Sequence, residues 1–217
     1  PGVVAPLGAA LLAGGRAADA VPMLRAALAE RPQDRASALA LARALLVLRQ
    51  PEPAAAALRR ALVLHPGDSG LLALLARTQL AELRPAAALA TLRPLLAYRP
   101  QPAPSPPAEA LLVAGHALRA LGRPADALAR FTAALAQTPD DPETRHAAAL
   151  ACLSQGDFIG GWPGFALRLH ADPRPPTETR LRQPRWTGAE PLAGQRILLY
   201  AERSLEELGV AHEAAGA

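Results

Sequence analysis

Residues 35–68 read RASALALARALLVLRQPEPAAAALRRALVLHPGD, and residues 69–102 read SGLLALLARTQLAELRPAAALATLRPLLAYRPQP. Aligned end to end, the two stretches keep the same small, apolar and proline positions. Pro32, Pro66 and Pro100 stand 34 residues apart, and so do Ala20, Ala54 and Ala88, and Leu24, Leu58 and Leu92. Leu11 pairs with Leu45 and Ala27 with Ala61, although Leu95 breaks that last column. A fixed period of this length marks a repeat architecture in which no unit buries its apolar face alone. Within each unit the apolar residues recur at helical spacing, which predicts two antiparallel helices of about a dozen residues each. The small residues fall where those helices cross. The closing proline cannot continue the second helix. Gly15, Gly122 and Gly156 lie at the turn between the helices, and Pro51, Pro85 and Pro124 in the first turn of the second helix.

Working outward, a fourth unit follows the proline-rich insertion Gln101 to Pro107 and carries Gly115, Leu118, Ala127, Phe131, Ala134 and Pro139. A fifth begins near Pro142 and runs through Ala149, Cys152, Gly156 and Phe165. The expected architecture is an all-α superhelical solenoid of about five helix-turn-helix repeats over 1–170, with units near 1–34, 35–68, 69–102, 108–141 and 142–170. A unit of this length, ending in Pro with small residues at its crossing points, resembles the tetratricopeptide (TPR) repeat family.

Composition agrees with close-packed helices. Hydrophobic residues make up 51% of the 217 but aromatics only 3%, so the core must be built from Ala and Leu. All 23 basic residues are Arg, and Lys and Asn are absent. One cysteine, Cys152, allows neither an internal disulfide nor a cysteine metal cage, which points to a reducing, cytoplasmic setting. A buried core position is expected for it. No apolar run approaches the ~20 residues of a membrane span. The net charge of +4 permits acidic partners without indicating nucleic acid.

The resemblance implies that the first helices line a concave groove. The column expected to face it reads Ala9, Arg43, Arg77, His116 and Leu150, with Arg119 one turn from His116. His116 and His146 are expected to face each other on adjacent helices, with Glu109 and Glu143 nearby. Guanidinium forks suit carboxylates, so Arg43, Arg77, His116, Arg119 and His146 form the candidate ligand-binding set, and an acidic peptide or protein is the expected partner. The carboxylate clamp of chaperone-binding TPR proteins uses Lys and Asn and is not present. No metal or cofactor is expected, since the two histidines lack a third ligand.

Past residue 157 the character changes, with Phe158, Trp162, Phe165, Trp186 and Tyr200 contributing five of the seven aromatics. Residues 171–195 are rich in Pro and Arg and read as an extended linker. Residues 196–217 hold a short apolar run, Ile197 to Tyr200, expected as a strand, then a tail expected as an amphipathic helix. We expect this segment to fold back on the last repeat. Gly156, Asp157, Phe158, Gly161, Trp162, Phe165 and Arg168, then Trp186, Gly188, Leu192, Gly194, Ile197 and Glu202, resemble the junction of bacterial TPR proteins that continue into a nucleotide-sugar glycosyltransferase domain, similar to protein O-GlcNAc transferases. That family continues with a Gln-Gly-x-Gly-Asp turn, where this chain has Arg203-Ser-Leu-Glu-Glu207. The resemblance therefore implies a fragment that stops before the catalytic domain, consistent with its opening on Pro1 inside a helical pattern.

The sequence thus predicts a scaffold or adaptor that binds a peptide or protein in its groove and is not itself an enzyme. The alternative is the acceptor-binding portion of a glycosyltransferase-like protein. RNA binding is disfavoured, because the arginines spread over several faces and the repeats lack aromatic stacking platforms.

Overall fold

The structure is a computed structural model that describes residues 4–97 and 105–165. Among these residues it contains ten helices: α1 (Val4–Ala13), α2 (Ala17–Glu30), α3 (Arg35–Val47), α4 (Pro51–Leu64), α5 (Ser69–Ala81), α6 (Pro85–Leu96), α7 (Ala108–Ala120), α8 (Pro124–Leu135), α9 (Pro142–Leu153) and α10 (Phe158–Phe165). The solenoid expectation holds over these residues. The expected linker, strand, terminal helix and fold-back contact lie outside them, as does Pro100.

Each helix packs on the next in sequence, and the odd-numbered helices also pack on one another, α1 on α3, α3 on α5, α5 on α7 and α7 on α9. Even-numbered helices make no comparable contact with each other. Helix pairs that touch along one side and spread along the other must curve toward the touching side. The odd helices therefore line the inside of that curve.

The crossing points are as tight as the small residues suggest. Ala20, Ala54, Ala88 and Ala127 are fully buried, and so are Leu24, Leu58, Leu92 and Phe131 one turn later. In each of the first four units the residue facing that larger side chain is alanine or glycine. Ala42 and Ala76 are buried in the units that carry Leu58 and Leu92, whereas Gly115 faces Phe131, and a β-carbon there would overlap the ring. Gly8 likewise lies under Leu24, whose Cγ would be 2.8 Å from an added β-carbon. Close packing leaves no slack for both partners to be large.

Helix starts are fixed by two devices. Pro51, Pro85 and Pro124 occupy the first position of α4, α6 and α8, where their missing N–H was unsatisfied anyway. Three of the inner helices, α3, α5 and α9, use aspartate caps, which the repeat pattern alone does not single out. Asp34 accepts from the Ala36 and Ser37 amides, Asp68 from the Leu71 amide at 2.9 Å, and Asp141 from the Thr144 amide at 2.9 Å. Asp68 also pairs with Arg35 in the first turn of α3, tying the starts of α3 and α5 together.

The hydrogen bond from the Ser37 hydroxyl, aided by the backbone amides, holds Asp34 below the usual carboxylate range. At Asp68 burial opposes ionisation, but the Arg35 guanidinium and backbone amides outweigh it and lower the pKa. A lowered folded pKa gives stability that is full above the unfolded value near 3.8 and lost as pH falls through the folded value. Unfolding midpoints should therefore drop between pH 5 and pH 3. They should drop less in Asp34→Asn/Asp68→Asn, which keeps capping oxygens but removes the titration; equal slopes would refute this role.

The turn between the two helices of each unit needs a left-handed residue. Gly15, Gly122 and Gly156 supply it at φ of 75°, 72° and 81°, while the same turn is made by Arg49 at 58° and Leu83 at 57°. That conformation costs a residue bearing a β-carbon about 1–2 kcal/mol, of which glycine's extra unfolded-state freedom returns about 0.5–1 kcal/mol. Leu83 is 89% exposed and has little packing to lose. Arg49→Gly/Leu83→Gly should therefore stabilise the chain by about 1–2 kcal/mol in urea titration. Destabilisation would show that these two side chains hold the turn.

Candidate functional site

The inner face is built from α1, α3, α5, α7 and α9, and the column expected there lies on these helices. Arg43 and Arg77 are exposed, Leu150 is partly buried, and Ala9 on α1 is exposed. No acidic partner meets Arg43 or Arg119 among the described residues. Arg77 is engaged: its guanidinium donates to a Glu143 carboxylate oxygen at 2.7 Å. That bond runs from α5 to α9 across the intervening α7, linking residues 66 apart in sequence. Both side chains are about half exposed, at 44% and 54%, so its value lies in position rather than stability.

His116 of α7 sits beneath this bridge. Its Nε2 is 4.0 Å from the same Glu143 oxygen, and its ring meets Phe131 edge-on at 5.4 Å between centroids. Burial is the largest influence on it and lowers its pKa. The positive charges of Arg119 and Arg77 lower it further, while Glu143 pulls the other way. The imidazole is therefore neutral at pH 7, and the positive charge of the face comes from Arg43, Arg77 and Arg119. His146 of α9 stacks on Phe165 of α10 with centroids 5.7 Å apart, and its Nδ1 is buried without a hydrogen-bond partner. It serves as packing between the last two helices more than as a free groove residue.

The structure thus brings Arg77, His116, Glu143 and, within electrostatic reach, Arg119 and His146 to one place, and leaves Arg43 apart on α3. Glu143 as the partner of Arg77 was not anticipated, since only a neighbouring position was expected for it. Cys152 is partly rather than fully buried, and burial together with nearby Asp157 raises its thiol pKa. Among the described residues no group of three or more His, Cys, Asp or Glu could hold a metal ion. No helix among them is long and apolar enough to cross a membrane.

A curved stack of antiparallel helix pairs with a charged inner face defines the helical-repeat class, a fold typical of protein-interaction scaffolds. Family models described as tetratricopeptide repeat match residues 6–69 and 108–158, and together with the helix-pair geometry they make this chain a tetratricopeptide repeat protein. Solved structures agree. A thermophilic TPR protein of Thermus thermophilus is 27% identical, with TM-score 0.63 over 79% of this chain and 91% of that one. PilW, a widely conserved type IV pilus biogenesis factor, is 21% identical, with TM-score 0.66 over 77% of this chain and 76% of its own. MamA from AMB-1 is 22% identical, with TM-score 0.58 over 76% of this chain and 96% of its own. These likenesses at low identity speak to the fold alone. No curated protein matches the chain significantly.

Proposed function

We propose that this chain is a non-enzymatic interaction scaffold whose inner face binds an acidic peptide segment or a terminal carboxylate, with Arg43 and Arg77 as the main anchors. The observation that supports the reading best is the Arg77–Glu143 bond at 2.7 Å: the column already holds one carboxylate, presented by the chain itself. A ligand carboxylate would take the same fork from Arg77 and add a second contact at Arg43. Arg119 supplies further positive charge, and neutral His116 forms part of the apolar floor. The single cysteine favours a cytoplasmic setting for this activity.

The test is a pull-down and a peptide titration comparing wild type with Arg43→Ala/Arg77→Ala. A specific partner or acidic peptide retained by the first and lost by the second supports the reading. Equal retention by both overturns it. A second reading, the acceptor-binding portion of a glycosyltransferase-like protein, draws on the pattern from Gly156 to Glu202. Its described part is structural: Asp157 caps the Gly160 amide at 2.9 Å, and Gly161 lies against Leu153. An acceptor protein captured through the same arginines would fit both readings. Coding sequence for the missing glycine turn beyond Ala217 would favour the second.

A further inference from the structure

On the outer side of the curve α2 and α4 stand apart, and between them runs a groove of about 610 Å³. Its floor is Ala38, Leu41 and Leu45 of α3, all buried against the core, and its α4 wall includes Ala56, Ala57 and Ala61. The groove follows from the sequence. Ala57 and Ala61 stand where the next unit, 34 residues on, carries Thr91 and Leu95. In that next unit Thr91 ties α6 to α5 through Gln79, and Leu95 packs on the core. The α4 wall lacks those side chains and so leaves an open apolar channel. At its mouth Val63 is 79% exposed and Leu64 49% exposed.

Among the described residues, the charged side chains lining the groove are Arg25 from the α2 wall and Arg60 from the α4 wall. Both are exposed, and no carboxylate among the described residues pairs with either. Two helices flanking a third leave a trough into which one further helix packs at ordinary interhelical distance. Unpaired guanidinium groups on opposite walls select negative charge along both flanks of that helix.

We infer that the α2–α4 groove is a second docking site, on the face opposite the arginine column, for an amphipathic helix of a partner protein with Leu-type residues on one stripe and Glu or Asp on its flanks. Cations on both walls suit a helix acidic along two edges better than a ligand with one charged end. A chain with this groove and a binding inner face would hold two partners at once.

The probe is a labelled, acetylated 16-residue peptide with Leu at helical three- and four-residue spacing and Glu on its flanks. It is titrated against the full chain by fluorescence anisotropy, beside the same peptide with Lys for Glu. The Glu peptide should bind at least tenfold tighter than the Lys peptide. Ala61→Leu, which copies the residue of the next unit, should abolish binding with the circular dichroism melt retained. Arg25→Glu/Arg60→Glu should reverse the preference, and Arg43→Ala/Arg77→Ala should leave it unchanged. Equal binding of the two peptides would overturn the inference, as would binding indifferent to Ala61→Leu. So would palmitate binding in place of the peptide, which would make the groove an acyl-chain site. Dimerisation in sedimentation that Ala61→Leu removes, without peptide binding, would make it an interface between copies.

Discussion

Phe131→Ala should lower the unfolding free energy by about 3–5 kcal/mol, the range for removing a fully buried aromatic side chain from a packed core. Phe131 is the largest fully buried side chain among the described residues. It fills the crossing of α7 and α8, reaches the next unit through Ala147 and Ala151, and packs edge-on against His116. In a repeat array, stability is close to a sum of unit and neighbour terms, so the loss should fall on the fourth and fifth units and leave the first three folded longest. Two further variants separate size from site. Gly115→Ala alone forces a β-carbon into the Phe131 ring and should cost about 1–3 kcal/mol of overpacking, offset in part by about 1 kcal/mol of helix propensity. Gly115→Ala/Phe131→Leu restores the pairing of Ala42 with Leu58 and of Ala76 with Leu92, and should cost less than the two single changes together. Urea titration of wild type, Gly115→Ala, Phe131→Leu and Gly115→Ala/Phe131→Leu gives the answer. Additive losses would mean that Gly115 is not matched to Phe131.

That pairing shows why so much of the fold was readable. A repeat states each packing rule several times, and the columns Ala20, Ala54, Ala88 and Leu24, Leu58, Leu92 place the crossing points without any structure. Glycine at Gly15, Gly122 and Gly156 marks the turn, but Arg49 and Leu83 make the same turn with side chains that carry no such signal. There the fold overrides local preference, because the helices on either side are already fixed by their own contacts. The aspartate caps were legible from Asp34, Asp68 and Asp141 standing just before helices, and would have been found by reading the unit ends as starts.

The candidate site was less legible, for a physical reason. Period and composition say which residues share a face, but not which of them satisfy one another. The bridge from Arg77 to Glu143 depends on how far the array curves over two units, and that curvature is a product of every crossing between them. The outer groove was legible in principle. It ends where the third unit places Thr91 and Leu95 in the positions of Ala57 and Ala61, and the break that Leu95 makes in the Ala27–Ala61 column carries as much information as the matches.

The curvature that joins Arg77 to Glu143 gives the proposed inner site its second large effect. Ion pairs between groups as exposed as Arg43 and Arg77 contribute about 0.2–1 kcal/mol each, and the forked geometry of a guanidinium puts them at the upper end. Losing both in Arg43→Ala/Arg77→Ala should weaken an acidic peptide by about thirtyfold. The loss should shrink as salt rises, since exposed charges are screened within about 8 Å at physiological ionic strength. Glu143→Gln provides the complementary case. An incoming carboxylate must displace Glu143 from Arg77, so removing its charge should strengthen acidic-peptide binding several-fold, and should do nothing in the Arg77→Ala background. That pattern, a gain conditional on Arg77, requires ligand and Glu143 to share one guanidinium. If Glu143→Gln weakens binding instead, the bridge is a strut that shapes the inner face, and the ligand contacts lie elsewhere along it.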